Sequence, residues 1–165
     1  MCWVFIRRCS SITKVPGEVD DADIIAALEP QLTRLPAPLS EAKLIAQTAR
    51  RLADGEIIAW FQTRAEFGPR ALGARSFLAD PRRDEIREEI NQKIKKRELF
   101  RPFAPSVTAE AAPSFFELDQ PSPYMNIVAR TRPEKRSAIP AVTHTDGTAR
   151  VHTVTAEANP LYHAL

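Results

Sequence analysis

The clearest helical period of apolar positions lies in residues 40–55. The apolar side chains that share one helical face there are Leu44, Ile45, Ala49 and Leu52. Ser40 suits an N-cap and Gly55 suits the residue after a helix, so the pattern predicts a helix between them. The continuous apolar run at residues 56–61 comes directly after it and predicts a buried strand. A helix followed by a buried strand indicates an α/β domain.

A second helix is predicted at residues 83–96, because Ile86, Ile90 and Ile94 are spaced by four. Its many acidic and basic residues are interpreted as a solvated face. Smaller elements lie further along the chain: a helical turn at 114–118, a strand at 124–129, a charged loop at 130–137, and a turn at 144–149 between segments 138–143 and 150–155. The side chains of 150–155 alternate between two faces, which is typical of a strand. Together these elements predict a mixed sheet with a few helices.

The amino-terminal part of the chain differs from the rest. Residues 1–19 have no helical or strand period and are interpreted as a leader that does not match the downstream sequence. Residues 20–29 predict a short helix that Pro30 ends, and the prolines of residues 36–38 indicate a linker. We therefore expect one domain over residues 20–165.

Composition supports a single folded domain. The chain has 165 residues, 44% hydrophobic and 27% charged, which is the mixture found in globular proteins. The formal net charge of only +2 does not favour nucleic acid as a partner. Cys2 and Cys9 have no further ligands nearby, so neither a zinc site nor a disulfide scaffold is predicted. Because no membrane span or secretory signal is recognisable, we expect a cytoplasmic protein without a membrane partner.

A glycine-containing segment at residues 66–76 holds Arg70 and Arg75 close together in sequence. Glycine lets the backbone approach a ligand, and arginine presents a planar fork of donors to phosphate or carboxylate. The segment therefore indicates an oxyanion site. A tight turn with two surface arginines is the alternative.

A basic segment occupies residues 93–101, and its cations are Lys93, Lys95, Lys96, Arg97 and Arg101. Clustered cations hold a multiply charged phosphate through charge-assisted hydrogen bonds. Two alternatives remain open: basic residues also match the dipole at the carboxyl end of a helix, and they contact nucleic-acid backbones.

A polar turn at residues 144–150 places His144, Asp146, Thr148 and Arg150 in one short stretch. Asp-Gly is a common turn signal, so a hairpin connection is the structural alternative to a binding site. No nucleophile motif, Walker-type loop or metal-ligand spacing is recognisable. No catalytic residue is therefore assigned, no metal site is predicted, and His152 and His163 are interpreted as ordinary strand and helix-end residues.

Three stretches, in this order, resemble the carbamoyltransferase family of nodulation and antibiotic-tailoring proteins: FQTRAEFGPRALGARSFLADPR, KKRELFRPFAPSV and HTDGTARVHTV. The resemblance covers residues 20–165. It implies a carboxyl-terminal YrdC-like domain, a twisted mixed sheet flanked by helices, which forms carbamoyl-adenylate from carbamoyl phosphate and ATP, with Mg²⁺ expected. In the family, a Kae1-like domain that binds a metal then transfers the carbamoyl group to a substrate hydroxyl.

The resemblance also implies residue roles. Arg70, Lys95, Arg101 and Arg150 match the positions that hold carbamoyl phosphate. Arg97, in the Lys-x-Arg pair with Lys95, is placed near the adenine nucleotide. The other residues placed near the nucleotide are His144, Asp146 and Thr148. Fixed cations of this kind offset the repulsion between two phosphate-bearing ligands.

The chain lacks the Kae1-like domain and ends before the Asn-Thr-Ser-Phe-Asn motif of the family. We therefore expect it to be incomplete and inactive as an enzyme on its own, with the Kae1-like domain as its missing partner. Two alternatives to an enzyme domain remain open. One is an RNA-binding YrdC-like module, suggested by the basic segment, although the aromatic content of 7% argues against base stacking. The other is an inactive remnant.

Overall fold

The computed structural model describes residues 39–64 and 66–165, together with Ala26. The predicted leader and the predicted linker lie outside these residues, and so does the predicted helix at residues 20–29 apart from Ala26, which is helical. The first described element is helix α1 (Glu41–Ala53), which buries Leu44 and Thr48. Gly55 lies just beyond it with φ +87°, a conformation that favours glycine. The predicted helix is confirmed, although the Ser40 side chain makes no capping hydrogen bond.

Strands β1 (Ile58–Phe61) and β2 (Arg75–Leu78) form an antiparallel pair in which Ile58 lies opposite Leu78. Trp60 on β1 packs with Leu44 of α1 and with Leu161 near the carboxyl terminus. The predicted strand is confirmed. Burial alternates along β1 because only one face of the pair packs against the core.

The predicted charged helix is present, but it has two parts. Helix α2 (Glu85–Glu89) continues into a π-helical segment (Ile90–Lys95), which Lys96 ends in the left-handed conformation at φ 47°. Ile86 and Ile90 are buried together with Ala141, as their spacing predicts. The prediction of a single regular helix over residues 83–96 is therefore wrong for its second half, where the chain forms the wider turns of a π-helix.

A four-stranded sheet contains the larger core. Its strands are β3 (Ser106–Thr108), β4 (Phe116–Glu117), β5 (Ile127–Thr131) and β6 (Thr148–Val154), in the order β3-β6-β5-β4. β3 runs parallel to β6 and the other pairs are antiparallel, so the predicted mixed sheet is confirmed. The core beneath it includes Phe116, Ala129, Ala149 and Val151.

The structure corrects several boundaries. The strand predicted at 124–129 begins at Ile127, because Met125 has φ 54° and belongs to a turn. The charged loop predicted at 130–137 instead completes β5 and then forms a 3₁₀ turn, Pro133–Lys135. Segment 138–143 contains another 3₁₀ turn, Pro140–Val142, and no strand.

Two short helices complete the described elements. Helix α3 (Ala112–Phe115) precedes β4, so the turn predicted at 114–118 starts earlier and ends in a strand. Helix α4 (Pro160–Ala164) begins after Asn159, whose side chain accepts a hydrogen bond from the Tyr162 N–H. The mixed α/β class is confirmed, whereas the YrdC-like label and the domain limits stay predictions. Within the described ranges, no helix combines the length and apolar character that crossing a bilayer requires.

Candidate anion-binding cleft

A cleft of about 720 Å³ lies between β2, the end of the π-helical segment, the start of β3 and the middle of β6. Its volume falls within the range of roughly 300–1,000 Å³ that is usual for small-molecule sites. Five arginine and lysine side chains line it: Arg70, Arg82, Lys95, Arg97 and Arg150. Arg82 is neutralised by a salt bridge to Asp80. Across residues 39–64 and 66–165, the other four form no salt bridge.

The loop that carries Arg70 is organised by the carboxylate of Glu66. Glu66 Oε1 accepts hydrogen bonds from the backbone N–H groups of Leu72 at 2.7 Å, Ala74 at 2.7 Å and Arg75 at 3.1 Å. Partial burial acts to raise the pKa of Glu66, but these backbone donors outweigh it and the pKa is lowered. The carboxylate therefore stays charged and holds the loop in one shape.

The same loop is attached to helix α4. Gly73 has φ +93°, and a Cβ atom there would lie 2.4 Å from the Tyr162 ring, so only glycine fits. The buried Gln62 amide donates to the Gly73 carbonyl at 2.8 Å and to Asn159 Oδ1 at 2.9 Å. These contacts fix the position of the loop beside the cleft.

Arg150 enters the cleft from β6. Burial, and then the positive charge of Arg70, lower the pKa of Arg150, and both side chains line the cleft. Its buried Nε has no hydrogen-bond partner in the part of the chain that the structure describes. Two like charges that share a cleft without a described carboxylate partner favour an anionic ligand.

The basic segment is organised by Asn91, whose side chain is fully buried. Its Nδ2 donates to the carbonyls of Leu99 at 3.1 Å and Arg101 at 2.9 Å, and its Oδ1 accepts from Arg97 Nε at 2.7 Å. The backbone N–H of Arg97 also donates to the Asn91 carbonyl. One amide thus folds the segment back on the π-helical turns.

The cations of the basic segment face in two directions. Lys95 Nζ lies 4.7 Å from the Phe77 ring centre and Arg97 Cζ lies 4.9 Å from that of Phe103, and both cations line the cleft. Two cations that do not line the cleft pair with nearby carboxylates: Lys93 with Glu89 at 2.9 Å, and Arg101 with Glu98 at 3.4 Å. Arg101 does not line the cleft, so its assignment to carbamoyl phosphate stays a prediction.

The turn at residues 144–150 is closed by its own side chains. Asp146 Oδ1 accepts from the Thr148 N–H at 2.9 Å and from the Thr148 hydroxyl at 2.7 Å, and these bonds lower the pKa of Asp146. His144 Nδ1 lies 3.1 Å from the Thr148 hydroxyl. None of His144, Asp146 and Thr148 lines the cleft, so their nucleotide-binding roles stay predictions.

Two cleft-lining residues, Ser106 and Tyr162, and the neighbouring His152 had no predicted binding role. His152 is a strand residue of β6, as predicted, but its Nδ1 lies 2.9 Å from Ser106 Oγ, which also accepts from the Tyr162 hydroxyl at 2.9 Å. These residues are far apart in sequence, and only the parallel pairing of β3 with β6 brings Ser106 opposite His152. Among the described residues, no three His, Cys, Asp or Glu side chains form a metal-binding group.

The structure is a mixed α/β domain with a cleft lined by cationic side chains. The family model described as "Carbamoyltransferase C-terminus" matches residues 49–165. The chain therefore belongs to the carbamoyltransferase family and matches its carboxyl-terminal region.

Three relatives illustrate the match. The nodulation protein NolO of Bradyrhizobium diazoefficiens is 53% identical over 114 residues, which is 67% of this chain and 21% of that protein. The 3'-hydroxymethylcephem-O-carbamoyltransferase of Amycolatopsis lactamdurans is 46% identical over 69% of this chain and 21% of that protein. The protein of the same name from Streptomyces clavuligerus is 43% identical over 78% of this chain and 23% of its own length. The chain thus spans less than a quarter of each of these relatives.

Proposed function

We propose that the cleft binds carbamoyl phosphate together with an adenine nucleotide, as part of an ATP-dependent O-carbamoyltransferase. The supporting observation is that Arg70 and Arg150 line the same cleft without a described carboxylate partner. Two relatives are named as O-carbamoyltransferases, and O-carbamoyl transfer requires a carbamoyl donor. Carbamoyl phosphate is a donor whose phosphate suits this set of cations.

The cations that line the cleft would compensate the negative charge of the two ligands. A carbamoyl-adenylate forms from carbamoyl phosphate, ATP and one water molecule. Hydrolysis of carbamoyl phosphate releases phosphate and leaves carbamate, whose oxygen attacks the α-phosphorus of ATP and displaces pyrophosphate. The approach of two anionic ligands is opposed by their mutual repulsion. Arg70, Arg150, Lys95 and Arg97 would offset that repulsion and stabilise charge on the leaving groups. No proton transfer is assigned to them.

Mg²⁺ would accompany ATP. The described carboxylates near the cleft do not offer it ligands, because Asp80 binds Arg82 and Glu66 accepts from three backbone N–H groups. Mg²⁺ is commonly held by substrate phosphates and water. Phosphate oxygens and water would therefore hold the ion.

Transfer to a substrate hydroxyl belongs to the whole protein. A Kae1-like domain would bind its own metal and receive the carbamoyl-adenylate. The basic segment offers a weaker case for RNA, since Lys93 and Arg101 are paired with carboxylates. The cleft favours a small anion over a polynucleotide.

Calorimetric titration of carbamoyl phosphate at low salt tests the proposal. Wild-type protein should bind, and Arg150→Ala should weaken binding by about 10–100-fold, because a hydrogen bond to a charged group contributes about 1.5–3 kcal/mol. Arg130→Ala is the matched control, since Arg130 is an exposed arginine on the neighbouring strand that does not line the cleft.

Two results would contradict the proposal. The first is absence of carbamoyl phosphate binding to folded wild-type protein. The second is salt-sensitive binding of RNA in a filter assay that Arg150→Ala leaves unchanged, because phosphate-backbone contacts on the outer surface would then explain the basic residues.

A further inference from the structure

Lys95 reaches the cleft from the end of the π-helical segment, and an aromatic ring contacts its ammonium group. It is the last residue of that segment, and Lys96 then turns the chain at φ 47°. Lys95 Nζ lies 4.7 Å from the ring centre of Phe77, which is 45% exposed on β2 and also lines the cleft. Across the described residues, the Lys95 side chain forms no hydrogen bond or salt bridge. The position of its ammonium group therefore depends on Phe77.

Arg97, the other cleft-lining cation of the basic segment, is held by two contacts. Its Nε donates to Asn91 Oδ1 at 2.7 Å, and its Cζ lies 4.9 Å from the ring centre of Phe103. A lysine ammonium sits on a flexible four-carbon stem and has more positions open to it than a guanidinium fixed in this way. Loss of its ring should therefore displace Lys95 more readily than Arg97.

An aromatic ring holds a cation without cancelling its charge. The ring face attracts an ammonium group through the quadrupole of the π-system, and the net charge of the pair stays positive. Lys93 and Arg101, which do not line the cleft, are instead paired with carboxylates, and those pairs have no net charge. The partner of Lys95 thus leaves a full positive charge facing the cleft.

We propose that Phe77 is a positioning residue whose ring holds the uncompensated Lys95 ammonium group at the cleft, where Lys95 binds the phosphate of carbamoyl phosphate. This inference rests on the proposed function and adds an uncharged residue to it. Phe61 on β1 gives a matched control, because Arg75 Cζ lies 5.0 Å from its ring centre and neither residue lines the cleft. The two pairs share one kind of contact and differ in whether they line the cleft.

Calorimetric titrations of carbamoyl phosphate measure the effect of the ring. Phe77→Leu should weaken binding about 3–5-fold, the loss equivalent to one cation–π contact at an exposed site. Phe61→Leu should change the affinity by less than about twofold, and Phe77→Tyr, which keeps a ring, should stay within about twofold of wild type. In Lys95→Ala protein, adding Phe77→Leu should change the affinity by less than about 1.5-fold, because the ring then has no cation to hold. Circular dichroism and thermal unfolding check that each variant folds.

A measurement without ligand tests the contact by itself. Protons above the face of an aromatic ring are shielded, so the NMR signals of the Lys95 methylene group next to the ammonium should be shifted upfield. Phe77→Leu should remove this shift. Lys93 is the reference, because it pairs with Glu89 and its signals should be the same in both proteins. Lys95 signals that Phe77→Leu leaves unchanged would overturn the inference.

The binding results separate this inference from the proposed function. Wild-type binding that Phe77→Leu leaves unchanged overturns the role of Phe77 and leaves the proposed function standing. Equal losses from Phe77→Leu in wild-type and in Lys95→Ala protein also overturn it, because the ring would then act on the ligand independently of Lys95. If folded wild-type protein does not bind carbamoyl phosphate, the proposed function fails and the role of Phe77 fails with it.

Discussion

The two basic regions beside the cleft are built in opposite ways. The loop at residues 66–75 surrounds a charged acceptor, because Glu66 Oε1 accepts hydrogen bonds from three backbone N–H groups. The basic segment at residues 93–101 surrounds a neutral amide, because Asn91 donates to two backbone carbonyls and accepts from Arg97. In both regions one side chain closes the backbone on itself. The cations then project from a fixed frame.

The regions also differ in how many of their cations reach the cleft. Arg70 is the arginine of the loop that lines it, whereas Arg75 lies over the Phe61 ring at 5.0 Å. In the basic segment, Lys95 and Arg97 line the cleft, whereas Lys93 and Arg101 pair with carboxylates outside it. A high density of cations in sequence therefore does not define the site. Their orientation does, and it is set by Glu66, Asn91 and the neighbouring rings.

Removal of the Glu66 carboxylate should have the largest effect. Glu66→Ala leaves three N–H groups without their acceptor, and each such loss costs about 1–3 kcal/mol where water does not replace it. We expect carbamoyl phosphate affinity to fall by more than about 30-fold because Arg70 is no longer held in position. Calorimetry measures the affinity. Glu66→Gln keeps an acceptor oxygen and should lose less; equal losses in both variants would show that charge, and not loop geometry, explains the effect.

Removal of the Asn91 amide should have the next largest effect. Asn91→Ala frees the carbonyls of Leu99 and Arg101 and should lower the free energy of unfolding by about 1–3 kcal/mol, measured by urea titration. The affinity for carbamoyl phosphate should fall by about 10-fold, since Arg97 loses its partner. The exposed Asn126 gives a control substitution, Asn126→Ala. An Asn91→Ala protein as stable as this control would refute the organising role.

A smaller effect should distinguish two lysines of the same segment. Lys95 lines the cleft and Lys93 pairs with Glu89 on the outer side. Lys95→Ala should weaken carbamoyl phosphate binding about 5–10-fold, and Lys93→Ala should change it by less than about twofold, because exposed salt bridges contribute little. Equal losses for both lysines would mean that the segment acts as a diffuse positive surface.

The smallest effect concerns pH. In the unfolded chain the pKa of His152 is about 6.5, and burial lowers this pKa in the folded protein. Between these two values the unfolded chain binds more protons, so the free energy of unfolding should decrease as pH falls below about 6.5. It should level off once the folded imidazole is also protonated. Urea titrations from pH 8 to about pH 5 measure this slope. His152→Gln should remove the contribution of His152 to the pH dependence of the free energy of unfolding. An unchanged slope would argue against a buried neutral imidazole.

Elements with a local signal were predictable from sequence. Helix α1 and strand β1 match the apolar period of residues 40–61, because one face of each packs against a common core. β3 was not predicted, since Pro102 and Pro105 interrupt its approach and its hydrogen bonds come from β6. The π-helical turns after Ile90 likewise have no local signal, because they depend on what Asn91 contacts.

The residues of the cleft likewise divide into those that the sequence identified and those that it did not. Arg70, Lys95 and Arg150 were identified from sequence stretches and do line one cleft, although their ligand roles remain untested. The groups that position them were not identified. Glu66 bonds to backbone N–H groups, and the neutral Asn91 amide bonds to two backbone carbonyls and to Arg97, so neither residue leaves a pattern of paired opposite charges in sequence. Only the tertiary pairing of distant segments shows what they contact.

The central claim is that the two arginines converge on one phosphate. A double-mutant cycle with Arg70→Ala, Arg150→Ala and the double variant tests it through calorimetric affinities for carbamoyl phosphate. If both guanidinium groups hold the same phosphate, removing one arginine should weaken binding less in the variant that already lacks the other arginine than in wild-type protein. The coupling energy should be about 0.5–3 kcal/mol. Losses that add within about 0.5 kcal/mol would place the two arginines on independent ligands and contradict the account.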